Sequence, residues 1–309
     1  MTMDRSQLLT EKRNPASQDI DTATSPEIVD IILSQDQTVC DAVEAERDSI
    51  ASLIDVVSER FNNGGRLFYV GAGTSGRLGV IDAAECPPTF GSPPDQIQAI
   101  VAGGTDAVFR SIEGAEDDRA AGANAIDACG VNHNDCVVGI AASGTTPFVL
   151  GALEKASRSE AHTAFITCSD IKYDSDPAKQ MIRLLVGPEV ITGSTRMKAG
   201  TATKMVLNMI TTGAMIRTGK VYGNLMVDVQ AWCDKLVDRA ERIVMTAGDV
   251  DRHVATKLLE NADGSAKTAI VMALLDVDAP TAQKRLEETS GHVRPAVQKP
   301  PSSGTQISS

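Results

Sequence analysis

The stretch "YVGAGTSGRLGVIDAAECPPTFG", residues 69–91, decides the fold. An apolar run, Leu67–Val70, ends in glycines and gives way to a stretch long enough for a helix. Such a strand–turn–helix passage leaves backbone N–H groups unpaired at the helix start, where they suit an anion. The glycines match GxGxxG spacing, but Thr74 and Ser75 place hydroxyls where a dinucleotide fold keeps small apolar side chains. The acidic residue expected about twenty positions on has no convincing candidate at the end of "QIQAIVAGG", residues 96–104. GxxxxGK(S/T) and GxSxG are both absent, which removes a P-loop and a hydrolase elbow. Further along, Glu85 stands alone between Ala83-Ala84 and Cys86-Pro87-Pro88. The stretch joins a hydroxyl-rich anion loop to one isolated carboxylate.

Outward from this passage, β-rich runs recur at Leu67–Val70, Ile97–Val101, Cys136–Ile140, Thr163–Thr167 and Leu184–Val186. Helix-length segments separate most of them, which predicts an α/β fold with a five-stranded parallel sheet covered on both faces. Ligands of such sheets gather beyond the carboxyl ends of the strands. Before the sheet, Ile28, Ile31, Ile32, Val39, Val43, Ile50, Leu53, Ile54 and Val57 recur at helical spacing and predict a helical lead-in. After it, residues 200–218 read as a core helix, with Met205, Met209 and Met215 as packing residues. Beyond Ala247 the chain reads as three short helices, with a stop at Asp263-Gly264 and an N-cap at Asp278. The expected organisation is an N-terminal segment and lead-in over 1–56, an α/β domain over 57–220 and a connecting helix over 221–247. A small three-helix unit over 248–297 and a disordered polar tail over 298–309 follow.

Lys and Arg total 29 against 41 Asp and Glu, a net charge of −12, which is a poor footprint for nucleic acid or an anionic membrane. An anionic ligand must therefore be held by local donors. The six cysteines (40, 86, 129, 136, 168 and 233) are scattered and read as free thiols of a reducing compartment. His133, His162, His253 and His292 show no ligand spacing, and HExxH and CxxC are absent, so no metal is expected. The charged N-terminus lacks the apolar core of a signal peptide, and no apolar run approaches membrane-spanning length. A cytoplasmic protein is the expectation.

Three loops share one chemical character: "GAGTSGR" (71–77), "AASGTTP" (141–147) and "TGSTRMKAGT" (192–201). Each leads toward a helix, and each alone is as compatible with an ordinary turn. Together at the carboxyl edge of one parallel sheet they make a phosphate site that needs little net charge. Its candidate contacts are Gly73, Thr74, Ser75, Ser143, Gly144, Thr145, Thr146, Ser194 and Thr195. Lys198 and Arg196 either face the phosphate or neutralise acidic neighbours.

Serine/threonine-rich loops closing such a sheet resemble the sugar isomerase (SIS) domain, which binds phosphosugars in a three-layer sandwich. "GAGTSGRLGVIDAAECPPTFG", "EGAEDD" (113–118), "GIAASGTTPF" (139–148), "VITGSTRMKAGTATKMVLNM" (190–209) and "GKVYGNLMVDV" (219–229) together resemble the N-acetylmuramic acid 6-phosphate etherase family. "RNPASQDID" (13–21) and the small C-terminal helical unit, UBA-like by the same resemblance, fit it too. One departure is visible: after "AFITC" the family commonly continues with an Asn-Pro turn, where this chain has Ser169-Asp170-Ile171-Lys172. The resemblance implies a cofactor-independent carbon–oxygen lyase that releases D-lactate and N-acetylglucosamine 6-phosphate, in peptidoglycan recycling. It implies Glu85 as the acid that protonates the departing ether oxygen and Glu116 as the base at C2, with Glu113 as the rival base nearby. It also implies a homodimer with sites near the interface, closed by "RNPAS" or by a partner helix.

Chemistry of this kind needs two carboxylates in different environments. The apolar neighbours of Glu85 favour its protonated form, while Glu116 sits in an acidic run that elsewhere would be a solvated face. Two other functions use similar loops. A non-catalytic phosphosugar sensor has a precedent in metazoan glucokinase regulatory protein, which resembles the same family. An aldose–ketose phosphosugar isomerase would remove a C2 proton but release no lactate.

Overall fold

The computed structural model describes residues 8–229 and 234–298, so Cys233 and the expected tail at 298–309, except Gln298 at the end of a helix, lie outside the described residues. The chain divides into two compact units, one from the residues up to Glu85 and Pro93–Ala214, the other from Cys86–Ser92 and the chain from Met215 on.

The first unit is an α/β sandwich. Its lead-in helices are α1 (Ser25–Asp36), α2 (Thr38–Glu44) and α3 (Arg47–Asn62). The sheet strands are β1 (Leu67–Gly71), β2 (Ile97–Val101), β3 (Cys136–Ile140), β4 (His162–Thr167) and β5 (Gln180–Arg183). All pairs are parallel, in the order β2-β1-β3-β4-β5. Between them run α4 (Gly73–Phe90), α5 (Asp106–Phe109), α6 (Arg119–Ala128) and α7 (Pro147–Arg158), and α8 (Lys198–Arg217) follows. β1 and β3 are buried along their whole length, so both read as continuous apolar runs rather than alternating ones. Phe68, Val70, Val137 and Phe165 pack with Phe148, Val149 and Leu153 of α7 and Ile126 of α6. Tyr69 alternates to the opposite face, where its hydroxyl meets Asp82 of α4 at 3.0 Å.

Two sequence expectations shift within this unit. The fifth strand lies at Gln180–Arg183 rather than Leu184–Val186. It is an edge strand of which only Ile182 is buried, so its pattern is mixed, and the apolar run follows the pairing instead of making it. Leu184 N still donates to Thr167 O at 2.7 Å, and then the chain turns away. The methionines also divide: Met215 is fully buried, whereas Met209 is 40% exposed and Met205 lines a surface groove with it. The lead-in is helical as the periodicity requires, yet α1 buries no side chain completely, and Val29 and Leu33 are exposed.

The second unit opens with an antiparallel hairpin, β6 (Val221–Tyr222) and β7 (Leu225–Met226), where a connecting helix over 221–247 was expected. Gly223-Asn224 makes the turn, and this local chemistry overrides the helical reading. Helices α9 (Asp234–Gly248), α10 (Arg252–Asn261), α11 (Ala266–Leu275), α12 (Ala279–Glu288) and α13 (Val293–Gln298) follow around Ile243, Val244, Ile270, Val271 and Leu286. Asp278 caps α12 by accepting from Thr281 N at 3.0 Å, as its position predicts. The stretch after Ala247 holds four helices rather than three after α9, because Val293 and Ala296 restart a helix that packs into the core.

Candidate active site

The strand order 2-1-3-4-5 places a topological switch point between β1 and β3, and a crevice opens outside their carboxyl ends. Gly71 and Ile140 are register partners at those ends, so loops 71–77 and 141–147 leave the sheet side by side. The first loop turns tightly into α4. A β-carbon on Gly71 would stand 2.6 Å from Gly76 N, and one on Gly76 would stand 2.8 Å from Gly71 O, so both positions demand glycine. Gly73, Thr74 and Ser75 thereby form the first turn of α4, where helical N–H groups lack intrahelical partners.

The second loop is pre-shaped by its own hydroxyls and by the next crossover. Ser143 Oγ and Thr145 Oγ1 lie 3.0 Å apart, and Thr145 N donates to Ser143 Oγ at 3.3 Å. Thr146 is the N-cap of α7, with Pro147 at its first position. Gly144 is left-handed at φ 76°, and Tyr173 Oη donates to Gly144 O at 2.8 Å. Burial pushes the Tyr173 hydroxyl up to about 12, so it remains a donor at any physiological pH. Thr167 Oγ1 donates to Ala142 O at 3.2 Å and supports the same turn.

The third loop reaches the first: a β-carbon on Gly200 would meet Thr195 O at 3.5 Å and Thr74 Cγ2 at 3.7 Å. Ser194 and Thr195 are half-buried here. The start of α8, however, is already occupied. Buried Glu189 accepts from Lys198 N at 3.1 Å and from Ala199 N at 2.9 Å, satisfying the helix donors with an internal carboxylate. Lys198 is 2% exposed, and its Nζ reaches Gln35 Oε1 at 3.4 Å. Burial lowers its pKa, while Glu189 and Asp36 oppose that shift. Asn14 of "RNPAS" donates to the same Gln35 oxygen at 2.8 Å and to Pro188 O at 3.0 Å, and Ser17 Oγ donates to Val190 O at 2.7 Å. Lys198 therefore belongs to a buried cluster beneath the N-terminal segment of its own chain. Arg196 is exposed.

The two motif glutamates fall in different places. Glu116, on the turn Ala115–Asp117, lines a pocket of about 120 Å³ together with Gly73, Arg77, Ala102 and Glu113. Glu85 is exposed and does not line it. Twelve residues of helix separate it from Gly73, about 18 Å along the axis of α4. One turn before Glu85, buried Asp82 accepts from Asn208 Nδ2 at 2.6 Å and Thr211 Oγ1 at 3.2 Å as well as from Tyr69, locking α4 to α8 and β1. Burial raises the Asp82 pKa against the opposing hydrogen bonds of Asn208, Tyr69 and Thr211. Among the described residues no group of His, Cys, Asp and Glu forms a metal-ligand set.

Residues 49–157 match the family described as the glucokinase regulatory protein N-terminal SIS domain. The phosphoheptose isomerase GmhA from Neisseria gonorrhoeae aligns structurally with a TM-score of 0.44 and 14% identity, over 62% of this chain and 98% of that one. Curated relatives are far more similar in sequence. The N-acetylmuramic acid 6-phosphate etherase of Photorhabdus laumondii is 50% identical over 270 residues, covering 87% of this chain and 90% of that protein. The protein of the same name from Mycolicibacterium smegmatis is 49% identical over 268 residues, with 87% and 90% covered. With about half of the aligned residues identical over 87% of its length, the chain belongs to the N-acetylmuramic acid 6-phosphate etherase family.

Proposed function

We propose that this protein cleaves the lactyl ether of N-acetylmuramic acid 6-phosphate, giving N-acetylglucosamine 6-phosphate and D-lactate in cytoplasmic recycling of cell-wall sugars. The observation that carries this reading is 50% identity over 87% of the chain to relatives named for that activity. The site supplies groups that suit the chemistry. The starts of α4 and α7 offer Gly73, Thr74, Ser75 and Ser143–Thr146 to the phosphate, with Ser194 and Thr195 beside them.

An ether oxygen is a poor leaving group, so the reaction needs an acidic neighbouring C–H. The open-chain sugar provides it, because the C1 aldehyde makes the C2 proton removable. Glu116, beside the phosphate loop, would take that proton. Lactate would then leave C3 as Glu85 protonates its oxygen, and water would add to C3 of the unsaturated aldehyde. The steps consume one water, change no oxidation state and call for a base and an acid only. The protein is thus read as a cofactor-independent carbon–oxygen lyase.

The separation of Glu85 from the pocket of its own chain supports a homodimer in which a second copy completes each site. Exposed Val29 and Leu33 on α1, and the groove lined by Val43, Ile50, Met205 and Met209, offer apolar surface for that contact. "RNPAS" is held on its own chain, which leaves a partner helix as the closing element. The test is purified protein with N-acetylmuramic acid 6-phosphate, scored for free D-lactate. Folded protein that releases none across a range of pH refutes the reading. The match of residues 49–157 to a regulatory protein's domain favours a phosphosugar sensor as second reading. A sensor would bind the sugar phosphate without lactate release or C2 hydrogen exchange.

A further inference from the structure

Arg77 stands one turn into α4, on the wall of the pocket that holds Gly73, Glu113 and Glu116. Its Nε donates to Val108 O at 3.0 Å and its Nη2 to Arg110 O at 3.2 Å. Val108 belongs to the single-turn helix α5, and Arg110 is its C-cap. Carbonyls at a helix C-terminus have no donor within the helix, so one rigid guanidinium fork serves two such acceptors. The segment they open also closes over Gly103, where a β-carbon would stand 3.2 Å from Ala107 Cβ, 3.2 Å from Ile112 Cβ and 3.3 Å from Ala115 Cβ. Glu116 follows directly on this packed turn.

The geometry points to Arg77 as a positioning residue for the base. It clamps residues 106–116 to α4 and so fixes Glu116 relative to the phosphate loop on the same helix. The role rests on the reading of Glu116 as the group that removes the C2 proton. Two of the guanidinium's donors go to carbonyls of this segment, so the role assigned to Arg77 is exerted through the segment's backbone. Displacing a base by an ångström slows proton transfer steeply, while a phosphate gripped at the far end of the sugar binds much as before.

Full-length Arg77→Lys and Arg77→Ala test the clamp. Lysine keeps the charge but lacks the fork that spans both carbonyls. In both variants kcat for lactate release should fall about 100-fold, the scale expected for an ångström of misplacement. KM should move by less than about threefold, because binding is not what the clamp supplies. C2 exchange in deuterated water should fall in step, and added guanidinium should return part of the rate to the alanine variant. Amide hydrogen exchange should accelerate over residues 105–116 and stay unchanged in the sheet. That measurement needs no turnover, so it judges the clamp even in a protein whose wild type releases no lactate, an outcome that instead refutes the etherase reading. Unchanged amide protection over 105–116 overturns the proposal, as does wild-type kcat in Arg77→Lys. A raised KM at wild-type kcat also overturns it, since that would place the guanidinium on the substrate. Should Arg77→Ala fail to fold, Arg77→Lys decides.

Discussion

Gly144→Ala probes how the loop at 141–147 is built. The residue sits at φ 76°, a conformation that costs a residue with a β-carbon roughly 1–2 kcal/mol. The new methyl would also stand 2.6 Å from Tyr173 Oη, 2.9 Å from Ile171 Cγ2 and 3.1 Å from Thr167 Oγ1. Overpacking of this kind adds about 1–3 kcal/mol, for an expected loss of about 2–5 kcal/mol. Tyr173→Phe alone removes the donor to Gly144 O and should cost about 1–3 kcal/mol. The same change deletes the atom that the methyl strikes hardest. In the double variant the losses should therefore fall short of their sum by at least ~1 kcal/mol, leaving the backbone strain and the Ile171 and Thr167 contacts. Urea denaturation of the four proteins at constant m-value measures this cycle. Losses that add within about 0.5 kcal/mol, or a Gly144→Ala protein as stable as wild type, would refute the reasoning.

The glutamates separate by isotope exchange. Glu85→Gln should release almost no lactate yet still exchange the C2 hydrogen in deuterated water, while Glu116→Gln should lose both; a reversed pattern swaps the roles, and label from water found in lactate rather than at C3 rules out elimination and hydration. Ser75→Ala and Ser143→Ala should each weaken binding of N-acetylglucosamine 6-phosphate by roughly 1.5–3 kcal/mol, the worth of a hydrogen bond to a charged group, and unchanged affinity in both would reduce these hydroxyls to turn formers. Burial pushes the Cys136 and Cys168 thiols from 9.0 up to about 12. Above pH 9 the unfolded chain sheds these protons first, so stability falls with rising pH by about 1.4 kcal/mol per unit for each thiol until the folded pKa is reached. Cys168→Ala should flatten that decline between about pH 9 and 10.5, and parallel stability curves for variant and wild type would contradict it.

Strands buried on both faces announce themselves as continuous apolar runs, which is why β1, β3 and β4 are legible in the sequence. The edge strand β2 is legible from the apolar residues of Ile97–Val101, although only its two ends are buried. The edge strand β5 carries Gln180 and Arg183 on partly exposed positions and lacks that signature. The hairpin strands β6 and β7 are two residues each, too short for any periodicity to register. At the site, the loops declare themselves because glycine and hydroxyl residues cluster within a few positions. Their supports do not. Tyr173 bonds Gly144 across 29 positions, and Arg77 bonds Val108 across 31, distances that only tertiary packing closes. Glu189 sits nine positions from the amide it caps, in a stretch with no local helix-start pattern to mark it.

That cap has a consequence for how the protein handles anions. Glu189 is a ligand wired to its own receptor: tethered beside the α8 amides, it fills their donors from within the chain. One of the three sockets that the primary structure advertises is thus plugged from within. On the proposed reading, a dianion in the crevice meets unfilled helix starts at α4 and α7, while the α8 amides are already satisfied by Glu189. For a chain carrying twelve excess negative charges, that reading makes position along the rim, rather than overall attraction, the expected basis on which one end of a sugar phosphate turns inward.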